Sequence, residues 1–270
     1  MPELPEVETT LRGIKPHVAG QCLRGAVVRV QKLRWPVPPN LSELVAGQTV
    51  DDITRRGKYL LLHLTGQTLM LHLGMSGSLR IVPDEIPVGK HDHVDLLLDG
   101  KRLRLTDPRK FGAVLLLDHD PYASPLLAGL GVEPLSAELT GDGLRSRARG
   151  RFVAIKNFIM DQKVVVGVGN IYASEALFRS GINPLRACNS LDSKEWNRLV
   201  GDIRHVLTEA IAAGGTTLQD FTGSDGRPGY FRQELRVYGR EGEPCSRCGA
   251  AIVQEKIGQR SSFFCPDCQK

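Results

Sequence analysis

Apolar residues recur along this chain in two rhythms, and the change between them divides it. Leu4, Val7, Leu11 and Ile14 repeat at helical spacing, which predicts an opening helix with one stripe docked on a core. Pro5 suits a first turn, where its missing N–H costs nothing, and Pro16 is expected to close the segment. Glu3, Glu6 and Glu8 stand at the positive end of the helix dipole. Ala26–Val30 then reads as a strand and Trp35–Pro39 as a rigid extended loop. Short apolar runs follow at Tyr59–Leu64, Thr68–Leu73, Ser78–Val82, Val94–Leu98, Leu103–Leu105 and Ala113–Leu117. Turn residues separate them, as at Thr65-Gly66, Asp99-Gly100 and Asp107-Pro108. Many short strands so punctuated predict a β-sandwich or barrel, with the first helix packed alongside.

Around 120–150 the pattern breaks into prolines, glycines and polar residues, which predicts a linker over 131–150. Beyond it the rhythm turns helical at Phe152–Asp161, Asn170–Ser180, Ser193–Ala213 and Thr217–Phe221, ahead of a small cysteine-bearing hairpin. The expected chain is α+β, with a sandwich over 1–130, the linker, a helical part over 151–232 and a metal-binding hairpin over 233–270. At 270 residues it is long enough for two domains.

Composition narrows the partners. No apolar run is long enough to span a bilayer, and the acidic, proline-punctuated start is unlike a signal peptide, so a cytoplasmic protein is expected. The net charge of +5 permits nucleic acid without establishing it. Its distribution says more. Arg24, Arg29, Lys32 and Arg34; Arg55, Arg56 and Lys58; Lys101, Arg102, Arg104, Arg109 and Lys110; and Arg145, Arg147, Arg149, Arg151 and Lys156 form four basic clusters. One such cluster is as readily a solvated face; several together favour a polyanion.

Cys245-x2-Cys248-x16-Cys265-x2-Cys268 is the most specific spacing in the chain. Two such knuckles suit one tetrahedral Zn²⁺ at a β-hairpin, and four thiolates leave no open position, so the metal is structural. Arg260 at the hairpin turn is then a candidate phosphate clamp. Gly167-Val168-Gly169-Asn170 reads either as a glycine-rich turn opening a helix able to hold one phosphate, or as a turn packed for shape alone. Met75 between Gly74 and Gly77 is core filler or an apolar wedge, and Arg109 with Phe111 occupies a similar turn. His91 and His93 lack an obvious third ligand and read as surface or core histidines. The glycine-rich Gly214–Phe231 stretch suits a lid, a binding loop or a linker. A small residue after Met1 invites removal of the methionine, leaving Pro2 with a free secondary amine. An α-amino group titrates about two units below a lysine, so such an amine can attack a sugar carbon and form an iminium, with Glu3 moving protons.

Five separated motifs occur in one order: Pro2-Glu3-Leu4-Pro5-Glu6-Val7-Glu8-Thr9, His72-Leu73-Gly74-Met75-Ser76-Gly77, Asp107-Pro108-Arg109-Lys110-Phe111-Gly112, Gly167-Val168-Gly169-Asn170-Ile171-Tyr172-Ala173-Ser174-Glu175 and the cysteine pairs. Together, over essentially the whole length, the chain resembles the bacterial formamidopyrimidine-DNA glycosylases, which excise 8-oxoguanine and cut at abasic sites. The resemblance implies a β-sandwich with an N-terminal helix, then a helix–two-turn–helix module and a zinc finger, with DNA in the cleft between. It implies a monomer acting on double-stranded DNA that contains oxidised purines or abasic sites. Pro2 would attack C1′, Glu3 would assist ring opening, and β,δ-elimination would cut the strand. Lys58, Asn170 and Arg260 would hold phosphates, with His72, His91 and Lys156 as further backbone contacts. Met75, Arg109 and Phe111 would fill the gap left by the extruded base, Arg109 facing the orphaned cytosine, and Gly214–Phe231 would close over the lesion. Lys110 stands where the family commonly has arginine, a change that keeps the charge. An endonuclease VIII-like glycosylase for oxidised pyrimidines and a non-catalytic zinc-ribbon DNA-binding protein are the rival readings.

Overall fold

The computed structural model of the chain describes residues 2–118, 120–215 and 235–270. Two compact units divide it: of the described residues, the first holds those up to Ala128 together with 213–215, and the second holds 129–212 and 235–270.

The first unit opens with α1 (Leu4–Val18), β1 (Gly25–Val28) and α2 (Leu41–Val45). The strands β2 (Val50–Arg56), β3 (Tyr59–Leu64), β4 (Gln67–His72), β5 (Ser78–Pro83), β6 (Asp92–Leu97), β7 (Lys101–Thr106) and β8 (Ala113–Leu117) follow, with a short α3 (Pro125–Ala128) after them. The strands form two antiparallel sheets, ordered β1-β6-β7-β5 and β2-β3-β4-β8. One apolar core joins Leu60, Leu62, Leu69 and Leu71 of one sheet to Leu79, Leu96, Leu103 and Leu105 of the other, with Val7, Ile14 and Val18 of α1 in the same cluster. Leu60, Leu61 and Leu62 are all fully buried, so both faces of β3 are covered; that is why it reads as a continuous apolar run instead of an alternation.

One local expectation is corrected here, and two elements are added. Pro16 does not end α1, which continues to Val18: a proline near the C-terminal end gives up one backbone bond while Ile14 and Val18 stay buried. Neither α2 nor β2 is visible in the apolar rhythm. In β2 only Val50 and Ile53 are buried, and a register shift between Val50 and Asp52 breaks the alternation. The charges on β2 hold α1 instead: Arg55 Nε donates to Glu8 Oε2 at 2.9 Å, and Lys15 Nζ lies 2.6 Å from Asp52 Oδ1. Burial alone would raise the Glu8 pKa, but hydrogen bonds from Arg55 and Arg12 outweigh it and lower it.

The second unit contains α4 (Gly141–Ala148), α5 (Ile155–Met160), α6 (Asn170–Ser180), α7 (Ser193–Ala212), β9 (Val253–Ile257) and β10 (Arg260–Phe264). The 131–150 segment, expected as a linker, is folded into this unit. Thr140 Oγ1 caps α4 by accepting the Gly143 N–H at 3.1 Å, and Arg204 Nη2 on α7 donates to the Ser136 and Leu139 carbonyls at 2.8 and 2.6 Å. The hairpin β9–β10 also belongs here, its core of Val237, Ile252 and Phe263 closing on Phe178 of α6. The predicted Thr217–Phe221 helix lies outside the described residues. Among the described residues no helix is long and apolar enough to cross a membrane.

Because Ile14 is fully buried on α1, Ile14→Ala is expected to cost about 2–4 kcal/mol, read from the midpoint of urea unfolding followed by circular dichroism.

Candidate nucleic-acid interface and metal centre

Pro2 and Glu3 are buried at the head of α1, Glu3 only 2% exposed. Glu3 occupies the N-cap position, and its backbone N–H donates to Glu6 Oε2 at 2.8 Å, one half of a capping box. Leu4 is fully buried immediately after it, so the start of the helix is held by packing as well as by the cap.

Lys58 is half-buried in the β2–β3 turn, and His72 ends β4. The His72 ring lies 4.8 Å from that of Tyr59, and its Nδ1 accepts the Gly74 N–H at 3.0 Å. A backbone N–H can only donate, so the proton of neutral His72 sits on Nε2. Burial, followed by the positive charges of Lys58 and Arg34, lowers its pKa to about 4. At neutral pH His72 is therefore an uncharged donor in a basic neighbourhood.

Met75 lies in the turn between β4 and β5; Arg109 and Phe111 lie in the turn between β7 and β8. The two turns are pressed together. A Cβ added at Gly74, whose φ is +63°, would meet the Phe111 carbonyl carbon at 2.4 Å, so this approach requires glycine. The Asp107 carboxylate ties them. Its Oδ1 accepts from Ser76 Oγ at 2.9 Å and from the Arg109 N–H at 3.3 Å, and its Oδ2 accepts the Gly112 N–H at 2.7 Å. Asp107 is fully buried, whereas Arg109 is exposed and Phe111 is 45% exposed, with the Arg109 guanidinium 5.1 Å from the Phe111 ring centre. Met75 is half-buried between them in exposure.

His91 is half-buried, and its carbonyl accepts the Asp107 N–H at 2.9 Å. The loop before it is held by Arg104, which donates to the Pro87 carbonyl at 3.0 Å while gripping Asp95 at 2.9 and 3.1 Å. Burial would raise the Asp95 pKa, but Arg104 and Arg29 outweigh it and keep it low.

In the second unit three expected residues meet at the hairpin. Asn170 opens α6, and its Nδ2 donates to the Ser261 carbonyl at 2.9 Å, while its buried Oδ1 has no hydrogen-bond partner among the described residues. Arg260 is exposed beside Ser261 at the start of β10. Lys156 differs from its expected role as a backbone contact: it is fully buried, and its ammonium donates to Ser262 Oγ at 2.6 Å and the Ser261 carbonyl at 3.3 Å. A buried ammonium so engaged positions the hairpin instead of offering an open charge. The Gly214–Phe231 stretch lies, from residue 216 onward, outside the described residues.

Cys245, Cys248, Cys265 and Cys268 bring their sulfurs within 4.8 Å of one another, with Cys245–Cys268 at 3.9 Å and Cys248–Cys265 at 3.5 Å. Zn–S bonds of about 2.3 Å in a tetrahedron require S···S edges of about 3.8 Å, so the four thiolates fit one zinc ion. The site is closed by four protein ligands, and the metal is structural.

Residues 1–114 match the formamidopyrimidine-DNA glycosylase N-terminal domain, 130–222 the H2TH domain of the same enzymes, and 242–270 a zinc finger found in FPG and IleRS. The formamidopyrimidine-DNA glycosylase of Syntrophotalea carbinolica is 58% identical over 271 residues, with both chains covered in full. The chain belongs to the formamidopyrimidine-DNA glycosylase family. The Alkalilimnicola ehrlichii member is 54% identical over 277 residues, again with both chains fully covered. The crystal structure of the MutM (Fpg) protein of Thermus thermophilus superposes with a TM-score of 0.88 at 40% identity, covering 99% of this chain and 98% of that one. The Lactococcus lactis Fpg bound to abasic-site DNA gives 0.91 at 33% identity, covering 99% of both chains. Membership makes the chain a DNA glycosylase of base excision repair.

Several residues that shape the candidate interface were not singled out by sequence. Ser76 and Asp107 stood inside quoted motifs without a role, and Tyr59 and Arg34 read as strand and basic-cluster residues. Glu175, buried on α6, accepts the backbone N–H groups of Arg236, Val237 and Tyr238 at 2.9–3.0 Å. Burial raises its pKa despite those three donors.

Two outcomes follow from this geometry. Cys248→Ser is expected to reduce metal content from about one zinc per chain toward zero by atomic absorption, and to weaken duplex binding by loosening the hairpin that carries Arg260. For His72 the folded pKa lies below the unfolded value, so the unfolded chain takes up the proton first as pH falls. Stability is fully present above about pH 6.5 and is lost toward pH 4, by up to about 3 kcal/mol. His72→Gln is expected to flatten that part of the stability–pH profile in urea unfolding.

Proposed function

We propose that the chain excises oxidised purines, 8-oxoguanine and formamidopyrimidines, from duplex DNA and then cleaves the strand. With Met1 removed, the Pro2 nitrogen attacks C1′ of the damaged nucleotide. The glycosidic bond breaks, its electron pair leaves with the base, and the base takes up a proton. Opening of the sugar ring breaks C1′–O4′, and the nitrogen lone pair completes the iminium. Glu3 carries protons among the amine, O4′ and the leaving base. Loss of a C2′ proton then expels the 3′ phosphate from C3′, and a second elimination expels the 5′ phosphate from C5′.

The observation that carries this reading is the buried, capped start of α1, which holds Pro2 and Glu3 where a chain terminus would otherwise fray. An enzyme that works on a base must extrude it from the stack at a cost of a few kcal/mol, roughly. Met75, Arg109 and Phe111 offset part of that by filling the gap. An unpaired cytosine offers adjacent O2 and N3 acceptors to a guanidinium fork, whereas adenine offers N1 beside an amino donor, so Arg109 favours cytosine. Lys58 on the first unit, with Asn170 and Arg260 on the second, contacts phosphates; His72 and His91 add backbone contacts. The L. lactis Fpg complexes with abasic-site and Fapy-dG DNA support this choice of substrate by family likeness.

Borohydride is expected to trap a covalent complex between the chain and abasic DNA, with the adduct lost in Pro2→Gly and in protein retaining Met1. Persistence of the adduct in both would remove Pro2 from the mechanism. Cleavage of 8-oxoguanine:cytosine duplexes is expected to exceed that of thymine-glycol duplexes; the reverse order would make the chain a pyrimidine enzyme.

A further inference from the structure

We infer that Asp107, acting with Ser76, is a positioning residue that joins the Met75 turn to the Arg109–Phe111 turn, so that the wedge and the reader of the opposite base work as one part. The inference deepens the proposed function and rests on its assignment of Arg109 to the orphaned base. Three observations within the first unit carry it.

The exposed side chains are borne by a buried polar frame. Ser76 is 3% exposed and Asp107 is fully buried, yet both serve residues on the surface of the turns. Ser76 Oγ donates to Asp107 Oδ1 at 2.9 Å and accepts the Arg109 N–H at 3.2 Å, so one hydroxyl on the first turn bridges to the backbone of the second. Asp107 also receives the backbone N–H groups of Arg109 and Gly112, the residues that bracket Lys110 and Phe111.

The frame is extended at the other Asp107 group. His93 is 5% exposed, and its Nε2 lies 2.9 Å from the Asp107 carbonyl, which can only accept; the ring therefore donates there. The Lys110 N–H donates to the same carbonyl at 3.2 Å. This matters because Lys110 has a φ of +56°, a left-handed conformation that a residue with a Cβ adopts only when its surroundings impose it. The Asp107 bonds on either side of Lys110 supply that imposition, and the result is to set Arg109 and Phe111 on adjacent sides of a tight turn, guanidinium over ring.

Close backbone packing makes the two turns move together. Cβ atoms added at Gly74 and Gly112 would meet the Phe111 backbone at 2.4 Å and the His72 carbonyl at 2.8 Å, so a shift of either turn displaces the other. The polar frame fixes their register within that contact.

The test measures single-turnover excision from duplexes carrying 8-oxoguanine opposite cytosine and opposite adenine, in Ser76→Ala, Asp107→Asn and Arg109→Ala proteins. The cytosine-to-adenine rate ratio is unaffected by the fraction of folded protein, so a role in overall stability alone would not move it. Ser76→Ala and Asp107→Asn are each expected to lower the ratio about tenfold, the scale of one lost hydrogen bond to an ionised group. In parallel, 2-aminopurine beside the lesion reports unstacking, and both variants are expected to show a smaller fluorescence rise on binding. An unchanged ratio in both, with the ratio collapsed in Arg109→Ala, overturns the positioning role. An unchanged ratio in Arg109→Ala itself removes the base-reading assignment, and the 2-aminopurine rise then decides: reduced in Ser76→Ala it sustains the frame, unaltered it overturns it. Should Asp107→Asn not fold, Ser76→Ala, which deletes only a hydroxyl, carries the test.

Discussion

Burial of one face of α1 in the sandwich core is the interaction on which the rest of the first unit depends. Leu4, Ile14 and Val18 are fully buried, and ion pairs from Glu8 to Arg55 and from Lys15 to Asp52 tie the polar side of the helix to β2. A terminal amine on a frayed chain would sample many positions, and its reaction with a single carbon would carry a large entropic penalty. In the proposed mechanism, with Met1 removed, the Pro2 amine on this docked helix is presented in a narrow range of positions, the condition under which an intramolecular arrangement gains several kcal/mol, roughly, over a free reagent.

The same logic governs the groups proposed to meet DNA, although here the anchors are polar. Turns are short of apolar contacts, so a turn that must hold its shape needs its backbone donors satisfied from within. Asp107 does this for the Arg109–Gly112 turn, and Glu175 does it for the backbone at Arg236–Tyr238. Lys156 is the inverse case, a buried cation serving a hairpin carbonyl and hydroxyl. Each places a costly polar group inside the protein, and each is matched by the hydrogen bonds it receives or gives. Exposed Arg109, Phe111 and Arg260 thus stand on or beside buried polar supports.

Metal and polar anchors converge on the hairpin of the second unit. The four cysteines close its base, Phe178 of α6 packs on its apolar core, and Lys156 and Asn170 bind Ser261 near its turn. A two-stranded hairpin alone is marginally stable in water. The zinc and these contacts together make it a rigid carrier for Arg260.

Much of this was legible in the residue order, for identifiable reasons. The α6 bounds, the Tyr59–Leu64 and Ala113–Leu117 strands and the cysteine spacing all rest on local periodicity or on fixed ligand geometry, which a linear pattern records directly. The β2 strand and the folded 131–150 segment escaped because their stability is non-local: β2 carries charges that serve α1, and the α4 region is held by Arg204 from α7. The sequence by itself determined which side chains were available, a proline and glutamate at the start, a methionine and an arginine–phenylalanine pair on glycine turns, four thiolates in two knuckles. Only the tertiary structure decided that Lys156 is buried under the hairpin, that His72 stays neutral between Lys58 and Arg34, and that Asp107 and Ser76 bind two turns 31 residues apart. Burial and hydrogen-bond partnership are properties of pairs brought together by folding, and no single stretch of chain contains them.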